Sequence, residues 1–317
     1  LSKLVGEHGQ VIGVDMTDEQ LAVAERHREY HARKFGFGAS NVRLVKGYIE
    51  DLAGAGVASG SVDVVISNCV LNLSPDKRRV FSEIFRVLKP GGELYFSDVF
   101  AGRRVPPHLA QDPLLLGECL GGALYVEDFR RILREVGCLD YRVVTSRPIS
   151  LANPEIERRA GMIRFFSKTV RAFKLDLEDL CEDYGQVAYY QGTLPESPHQ
   201  FVLDDHHVFK TGQPMLVCGN TAAMVQKTRY AQHFRILGDR SVHYGPFDCA
   251  PTGAAPALSC ATFPTEPTTC WRASSVRSAP MCSTLPDTLP KIPCCSRETG
   301  ASASTCPPPR LDPCCSG

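Results

Sequence analysis

Between residues 10 and 150, short apolar runs alternate with longer stretches of helical periodicity, and this alternation restricts the fold more than any other feature. Residues 10–15 (Gln-Val-Ile-Gly-Val-Asp) read as a buried strand ending in a carboxylate, and 17–30 as a helix with Thr17 as N-cap and Gln20 three residues on. Strands are expected over 41–46 and 61–67. A helix over 75–88, with Val80, Ile84, Val87 and Leu88 on one face, is stopped by Pro90-Gly91-Gly92. A strand over 93–99, a helix over 126–136 and a strand over 141–145 complete the series. Strands separated by helices and short loops predict an α/β chain with a doubly wound sheet.

The rhythm changes near residue 151. A helix is expected over 156–173, short β segments with turns at Gly192, Pro195 and Thr211-Gly212 over 185–217, and a last helix over 221–234. The reading is three regions: a main domain over 1–150, a small mixed α+β C-terminal subdomain over 151–240, and a tail over 241–317. That tail holds nine of the fourteen cysteines and thirteen of the twenty-three prolines, with almost no hydrophobic periodicity, so it is expected to be disordered. The remaining five cysteines, spread over 240 residues, suit a cytoplasmic enzyme core better than a disulfide scaffold. Thirty-five basic against thirty-five acidic residues leave no basic footprint for nucleic acid, and no run of apolar residues is long enough to predict a membrane span.

In an open α/β sheet, ligands bind beyond the carboxyl ends of the strands. Asp15 ends a strand there and could accept hydrogen bonds from a ribose diol; a helix N-cap or a solvent-facing carboxylate is an equal alternative. Glu50, after the next strand, could meet an adenine amino group with Ile49 packing on the base. A plain loop carboxylate is the competing reading.

The run Arg86-Val87-Leu88-Lys89-Pro90-Gly91-Gly92 entering a strand resembles the helix-to-strand segment of class I S-adenosylmethionine-dependent methyltransferases. Its role is structural: proline and glycine break the helix and reverse the chain in few residues. Two further segments, Ser67-Asn68-Cys69-Val70-Leu71-Asn72-Leu73-Ser74-Pro75-Asp76-Lys77 and Gly117-Glu118-Cys119-Leu120-Gly121-Gly122-Ala123-Leu124-Tyr125, resemble the arsenite methyltransferase family. Gly13-Val14-Asp15-Met16-Thr17, Gly47-Tyr48-Ile49-Glu50-Asp51-Leu52, Leu203-Asp204-Asp205-His206-His207 and Cys218-Gly219-Asn220-Thr221-Ala222-Ala223-Met224 fit the same family. The resemblance runs from Leu1 to about Cys249. It implies a Rossmann-like sheet and methyl transfer from S-adenosylmethionine to trivalent arsenic held by Cys69 and Cys119, the reaction of arsenic detoxification. It implies cofactor contacts from Asp15, Met16, Ile49, Glu50, Asn68 and Val70, and a thiol reductant such as glutathione or thioredoxin. Trivalent arsenic is soft and thiophilic, so cysteine sulfur is its matching ligand. Leu1, Leu4 and Val5 read as the last turns of a helix. The family's glycine-rich loop, first strand and third cysteine are therefore expected upstream of Leu1, in an N-terminally truncated chain.

Two other functions compete: a carbon or oxygen methyltransferase of the same fold, which needs no paired cysteines, and a non-catalytic thiol protein that binds metalloid. Among the other cysteines, Cys138 reads as packing, and Cys181 and Cys218 as accessory thiols or plain core residues. His206-His207 reads as a polar pair in a hairpin, because no partner at metal-ligand spacing is evident. The tail cysteines, counted from Cys249, have no zinc-finger spacing. Their capture of soft metalloid competes with plain low-complexity sequence. A cytoplasmic monomer acting on a small arsenical, with neither nucleic acid nor membrane as partner, is expected.

Overall fold

The computed structural model describes residues 1–249. A helical turn, Ser2–Val5 (α1), precedes strand Val11–Asp15 (β1), helix Asp18–Phe35 (α2) and strand Val42–Lys46 (β2). β1 and β2 are parallel, with Asp15 beside Lys46 at their carboxyl ends. Thr17 stands at the N-cap of α2 but does not cap it through its side chain. Its hydroxyl turns back to Asp15 instead, which removes the expected pairing with Gln20.

Strand Val62–Asn68 (β3) runs through a 3-10 turn at Leu71–Leu73 into helix Lys77–Val87 (α3), whose buried face is Val80, Phe81, Ile84, Phe85 and Val87. The Asp76 carboxylate accepts from the Arg79 amide and caps that helix. The chain then extends as Leu88–Ala101 (β4). Gly91, at φ 77°, sits where a β-carbon would lie 2.5 Å from the Lys227 carbonyl oxygen. The Pro-Gly-Gly turn therefore lets the C-terminal part approach the main sheet closely.

Two short helices, Pro107–Ala110 (α4) and Pro113–Gly117 (α5), lead to a two-residue strand, Leu124–Tyr125 (β5), beside the end of β4. Helix Val126–Glu135 (α6), strand Tyr141–Ile149 (β6), helix Pro154–Ala160 (α7) and strand Phe165–Phe173 (β7) follow. The helix expected over 156–173 is thus corrected. Gly161, in the left-handed region at φ 59°, ends α7. The aromatic and β-branched run Phe165, Phe166, Thr169, Val170 inserts between β4 and β6, antiparallel to both. The sheet order is β3-β4-β7-β6, so the sheet is mixed, and residues 165–173 belong to it despite lying beyond position 150. Phe81, Phe96, Phe100 and Phe129 fill its core with edge and tilted ring contacts.

β1 pairs with β2 alone, and β3 hydrogen-bonds to β4, leaving β1 and β3 without a mutual ladder. Leu52, Val57 and Val87, with Ile12, Val14, Val62 and Val65, pack the two pieces together through apolar contact.

The remaining strands are Glu182–Asp183 (β8), Gln186–Tyr190 (β9), Gln200–Val202 (β10), Val208–Lys210 (β11) and Pro214–Val217 (β12). Helix Gly219–Gln226 (α8), a 3-10 turn at Ala231–His233, and strands Phe234–Leu237 (β13) and Gly245–Pro246 (β14) complete them. β9 is central in a sheet ordered β12-β9-β13, over a core that includes Tyr190, Leu203, Phe209 and Met224. The helix expected over 221–234 stops at Gln226. The Thr228 hydroxyl donates to the Met224 carbonyl and accepts from the Tyr230 amide, competing with another helical turn. Phe234 then joins β9.

Residues 241–249 also belong to the fold, contrary to a tail beginning at 241. β14 pairs with β8, and the Phe247 amide donates to the Cys181 carbonyl. The reading of a disordered tail over 250–317, with its eight further cysteines, lies outside the described residues.

Candidate active site

The carboxyl ends of β1, β2 and β3 carry the residues singled out in the sequence. Asp15 closes β1, and its Oδ1 accepts from the Thr17 amide at 2.8 Å and the Thr17 hydroxyl at 2.7 Å. These bonds hold the carboxyl below its usual range, so it is ionised at neutral pH. Glu50, past β2, accepts from the Ser74 hydroxyl, and its carbonyl accepts from Arg79 Nε at 2.8 Å. These bonds draw the end of β2 to the segment following β3. Met16, Tyr48 and Val70, at the ends of the three strands, are exposed apolar side chains. Ile49 is half-buried and packs against the main core instead of standing free.

Cys69 follows β3 directly, and its amide donates to the Ser97 carbonyl on β4 at 2.9 Å. Its thiol lies 3.9 Å from Asn68 Oδ1. Cys119 follows α5 in the loop before β5 and α6. Among the described residues, these two cysteines are the only non-glycine residues with positive φ, at 54° and 58°. Left-handed backbone costs an L-residue of order 1–3 kcal/mol and persists where the surroundings over-determine it. The strain falls on the two thiols with which the sequence analysis associated arsenic.

What over-determines them is a buried polar brace. Asp98 on β4 accepts from Asn72 Nδ2 at 2.7 Å and from the Asn72 amide at 3.2 Å. Asn72 Nδ2 also donates to the Val99 carbonyl. Lys77 Nζ donates to the carbonyls of Asn72 and Ser74. On the other side of Asn72 lies Gly122, where a β-carbon would collide with the Asn72 carbonyl oxygen. The loop carrying Cys119 is thereby pressed against the turn that follows Cys69. Burial raises both thiols above their ordinary value, and the nearby Asp98 charge raises them further; Cys119 adds to the effect on Cys69. Burial likewise raises Asp98 itself, against its hydrogen bonds and Lys77. The open clefts at Pro75, Arg78 and Asp128 and at Arg171, Glu196 and Phe201 contain neither thiol.

Residues 1–137 match a methyltransferase domain and residues 183–255 the arsenite methyltransferase C-terminal domain. The arsenite methyltransferase of Aquipseudomonas alcaligenes is 55% identical over 249 residues, 78% of this chain and 71% of that protein. The chain belongs to the arsenite methyltransferase family. The mouse arsenite methyltransferase is 46% identical over 74% of this chain, and the chain spans 62% of its length. The crystal structure of an arsenic(III) S-adenosylmethionine methyltransferase from Chlamydomonas reinhardtii superposes with a TM-score of 0.75 at 54% identity, covering 78% of this chain and 83% of that one.

Within that family frame, the sequence reading named the two thiols but gave no role to Asp98, Asn72 or Gly122. A carboxylate at Asp98 among the apolar Phe96, Val99 and Phe100, and a glycine pair after Cys119, were the available signals. His206 and His207 lie with Asp204 in the β10–β11 hairpin, where Asp204 accepts from both histidine amides and from His207 Nδ1. Cys138 is buried, and burial pushes its thiol up to about 12, which leaves it inert. No helix among the described residues is long and apolar enough to cross a membrane.

Proposed function

We propose that the chain acts as an arsenic methyltransferase, with Cys69 and Cys119 holding trivalent arsenic while a methyl group is transferred to it. The observation that carries this reading is the pair of strained cysteines braced by Asp98, Asn72 and Gly122 beside the carboxyl ends of the strands. S-adenosylmethionine supplies the methyl as an electrophile on a positively charged sulfur. The residues present suit its adenosine portion: Asp15 offers an ionised carboxylate to a ribose diol, Glu50 an acceptor, and Met16 and Val70 exposed apolar surface for the base. Asn68 and Ile49 line the same strand ends.

Arsenic attacks through a lone pair that carries no proton, so the site needs no general base. The protein's contribution is alignment, which is worth on the order of 7–11 kcal/mol when reacting groups are well oriented. Burial and the Asp98 charge favour the protonated form of both thiols. Their condensation with arsenite expels two of the three arsenic-bound hydroxyls as water, forming two As–S bonds, breaking two As–O bonds and leaving one hydroxyl on arsenic. Methylation would form an As–C bond from the arsenic lone pair as the methyl–sulfur bond breaks and a neutral thioether leaves; arsenic becomes pentavalent, so return to the trivalent state falls to a small-thiol or dithiol reductant of the glutathione or thioredoxin class. We place this chemistry in the cytoplasm, with the chain as a monomer.

The test is transfer of labelled methyl from S-adenosylmethionine to arsenite by the full chain and by Cys69→Ser and Cys119→Ser. Serine nearly preserves shape but offers a hard oxygen, so each variant is expected to lose transfer while keeping its circular dichroism. Transfer at the unaltered rate by either variant would overturn the assignment of that thiol.

A further inference from the structure

A second group of thiols lies far along the chain from the strained pair. Cys181 precedes β8, Cys218 stands at the N-cap of α8, and Cys249 follows β14. Their sulfurs all lie within 4.8 Å of one another. Three separate elements bring them together. β8 and β14 are paired, and the Phe247 amide bonds to the Cys181 carbonyl, which fixes Cys249 close to Cys181. Cys218 is completely buried, while Cys181 and Cys249 are half-exposed, so the group has a buried floor and a side open to solvent.

The surroundings favour sulfur ligation. Cys218 Sγ accepts from the Thr221 amide at 3.4 Å, as an N-cap, and lies 3.2 Å from the Thr221 hydroxyl. Arg142 is buried beneath it, with Nη2 3.9 Å from the same sulfur and 3.1 Å from the Thr221 hydroxyl. Asp140 and Asp204 also pair with that guanidinium. Hydrogen bonds from Cys181 and Cys249, then the Arg142 charge, hold the Cys218 thiol well below the usual range, against burial. Cys181 is pushed up to about 11 by the same sharing, and Cys249 is raised as well.

We propose that Cys181, Cys218 and Cys249 form a second binding site, in which trivalent arsenic is held by three sulfurs. The set that gathers is three thiols, and three-coordinate arsenic with its lone pair is completed by three sulfurs. Structural zinc sites almost always close with four protein ligands, so zinc fits this set less well. The step balances as As(OH)3 with three Cys–SH giving one As(S–Cys)3 unit and three waters. Three As–O bonds break, three As–S bonds form, and arsenic stays trivalent. The site requires no methyl transfer, so it stands apart from the reading of Cys69 and Cys119. Holding the metalloid in the C-terminal part gives the chain a reservoir of the same thiophilic class that the strained pair takes.

The test uses the full chain with Cys69, Cys119 and the eight cysteines beyond Cys249 replaced by serine, leaving Cys138 and the cluster. Arsenite is added, free arsenic is removed by gel filtration, and arsenic per chain is counted with X-ray absorption at the arsenic edge. One arsenic per chain with three sulfur neighbours is expected. In the same background, Cys181→Ser with Cys249→Ser should abolish this binding; both positions are half-exposed, so the fold is expected to survive, as thermal melting would confirm. A parallel titration with zinc tests the other occupant. No retained arsenic, arsenic that survives the paired serine substitution, or retention of zinc with no arsenic would each overturn the proposal. Failure of methyl transfer in the unaltered chain would leave this result untouched, since the readout here is binding alone.

Discussion

Cys69, Cys119 and Cys138 show how position, rather than residue type, sets the properties of a thiol. Cys138 has the same side chain but is enclosed in the core, and its thiol is pushed up to about 12. Cys69 and Cys119 are raised as well, by partial burial and by Asp98. The thiolate is the form that reacts with alkylating agents, so the sign is fixed. Alkylation of Cys69 and Cys119, followed peptide by peptide, should keep rising with pH beyond the range where a free thiol near about 8.5 is fully ionised. Cys138 should stay unmodified in the folded chain throughout. A plateau for Cys69 at or below the free-thiol range would contradict the Asp98 and burial account.

At the scale of elements, the site depends on the contact between the turn after β3 and the loop before β5. Gly122→Ala forces a β-carbon into the Asn72 carbonyl, and overpacking of this kind costs about 1–3 kcal/mol. Urea unfolding should show that loss, and arsenite affinity at the strained pair should fall with it because the Cys119 loop is displaced. Unchanged stability and affinity would mean the contact is not what positions Cys119. The apolar rhythm of β1 to α3 was legible in the sequence because each element buries one face, and the two thiols were legible from their flanking segments. β7 was not: Val170 and Phe173 repeat at a helical interval after Ile156 and Ile163, and only pairing with β4 and β6 makes them a strand. Tyr230 and Phe234 misled in the same way, since Thr228 ends the helix by side-chain bonding that periodicity does not reveal. The cysteine cluster was unreadable for a different reason. Cys181, Cys218 and Cys249 are far apart in sequence, and Cys249 looked like the first of a regularly spaced tail series.

At the scale of the whole molecule, a buried carboxylate on the main sheet helps fasten it to the C-terminal core. Glu93 on β4 is nearly inaccessible and pairs with Arg171 of β7 at 2.6 Å and Arg229 at 2.8 Å, while the Tyr230 hydroxyl donates to it at 3.0 Å. Arg171 in turn lies over the rings of Tyr95, Phe201 and Tyr230. Removing the carboxylate leaves two guanidinium groups without their shared partner, and a broken buried pair typically costs about 3–5 kcal/mol. Glu93→Ala should lower the urea midpoint accordingly, and an unchanged midpoint would show that this carboxylate is not what holds the two parts together.

The claim on which the functional account rests is that Cys69 and Cys119 grip the same arsenic atom. Alkylation of the full chain at alkaline pH, with and without arsenite, read by mass spectrometry of the peptides containing each cysteine, tests it most directly. Arsenite is expected to slow modification of Cys69 and Cys119 together and at the same concentration, and Cys119→Ser to remove the protection of Cys69. Modification of either thiol at an unchanged rate in saturating arsenite would contradict it.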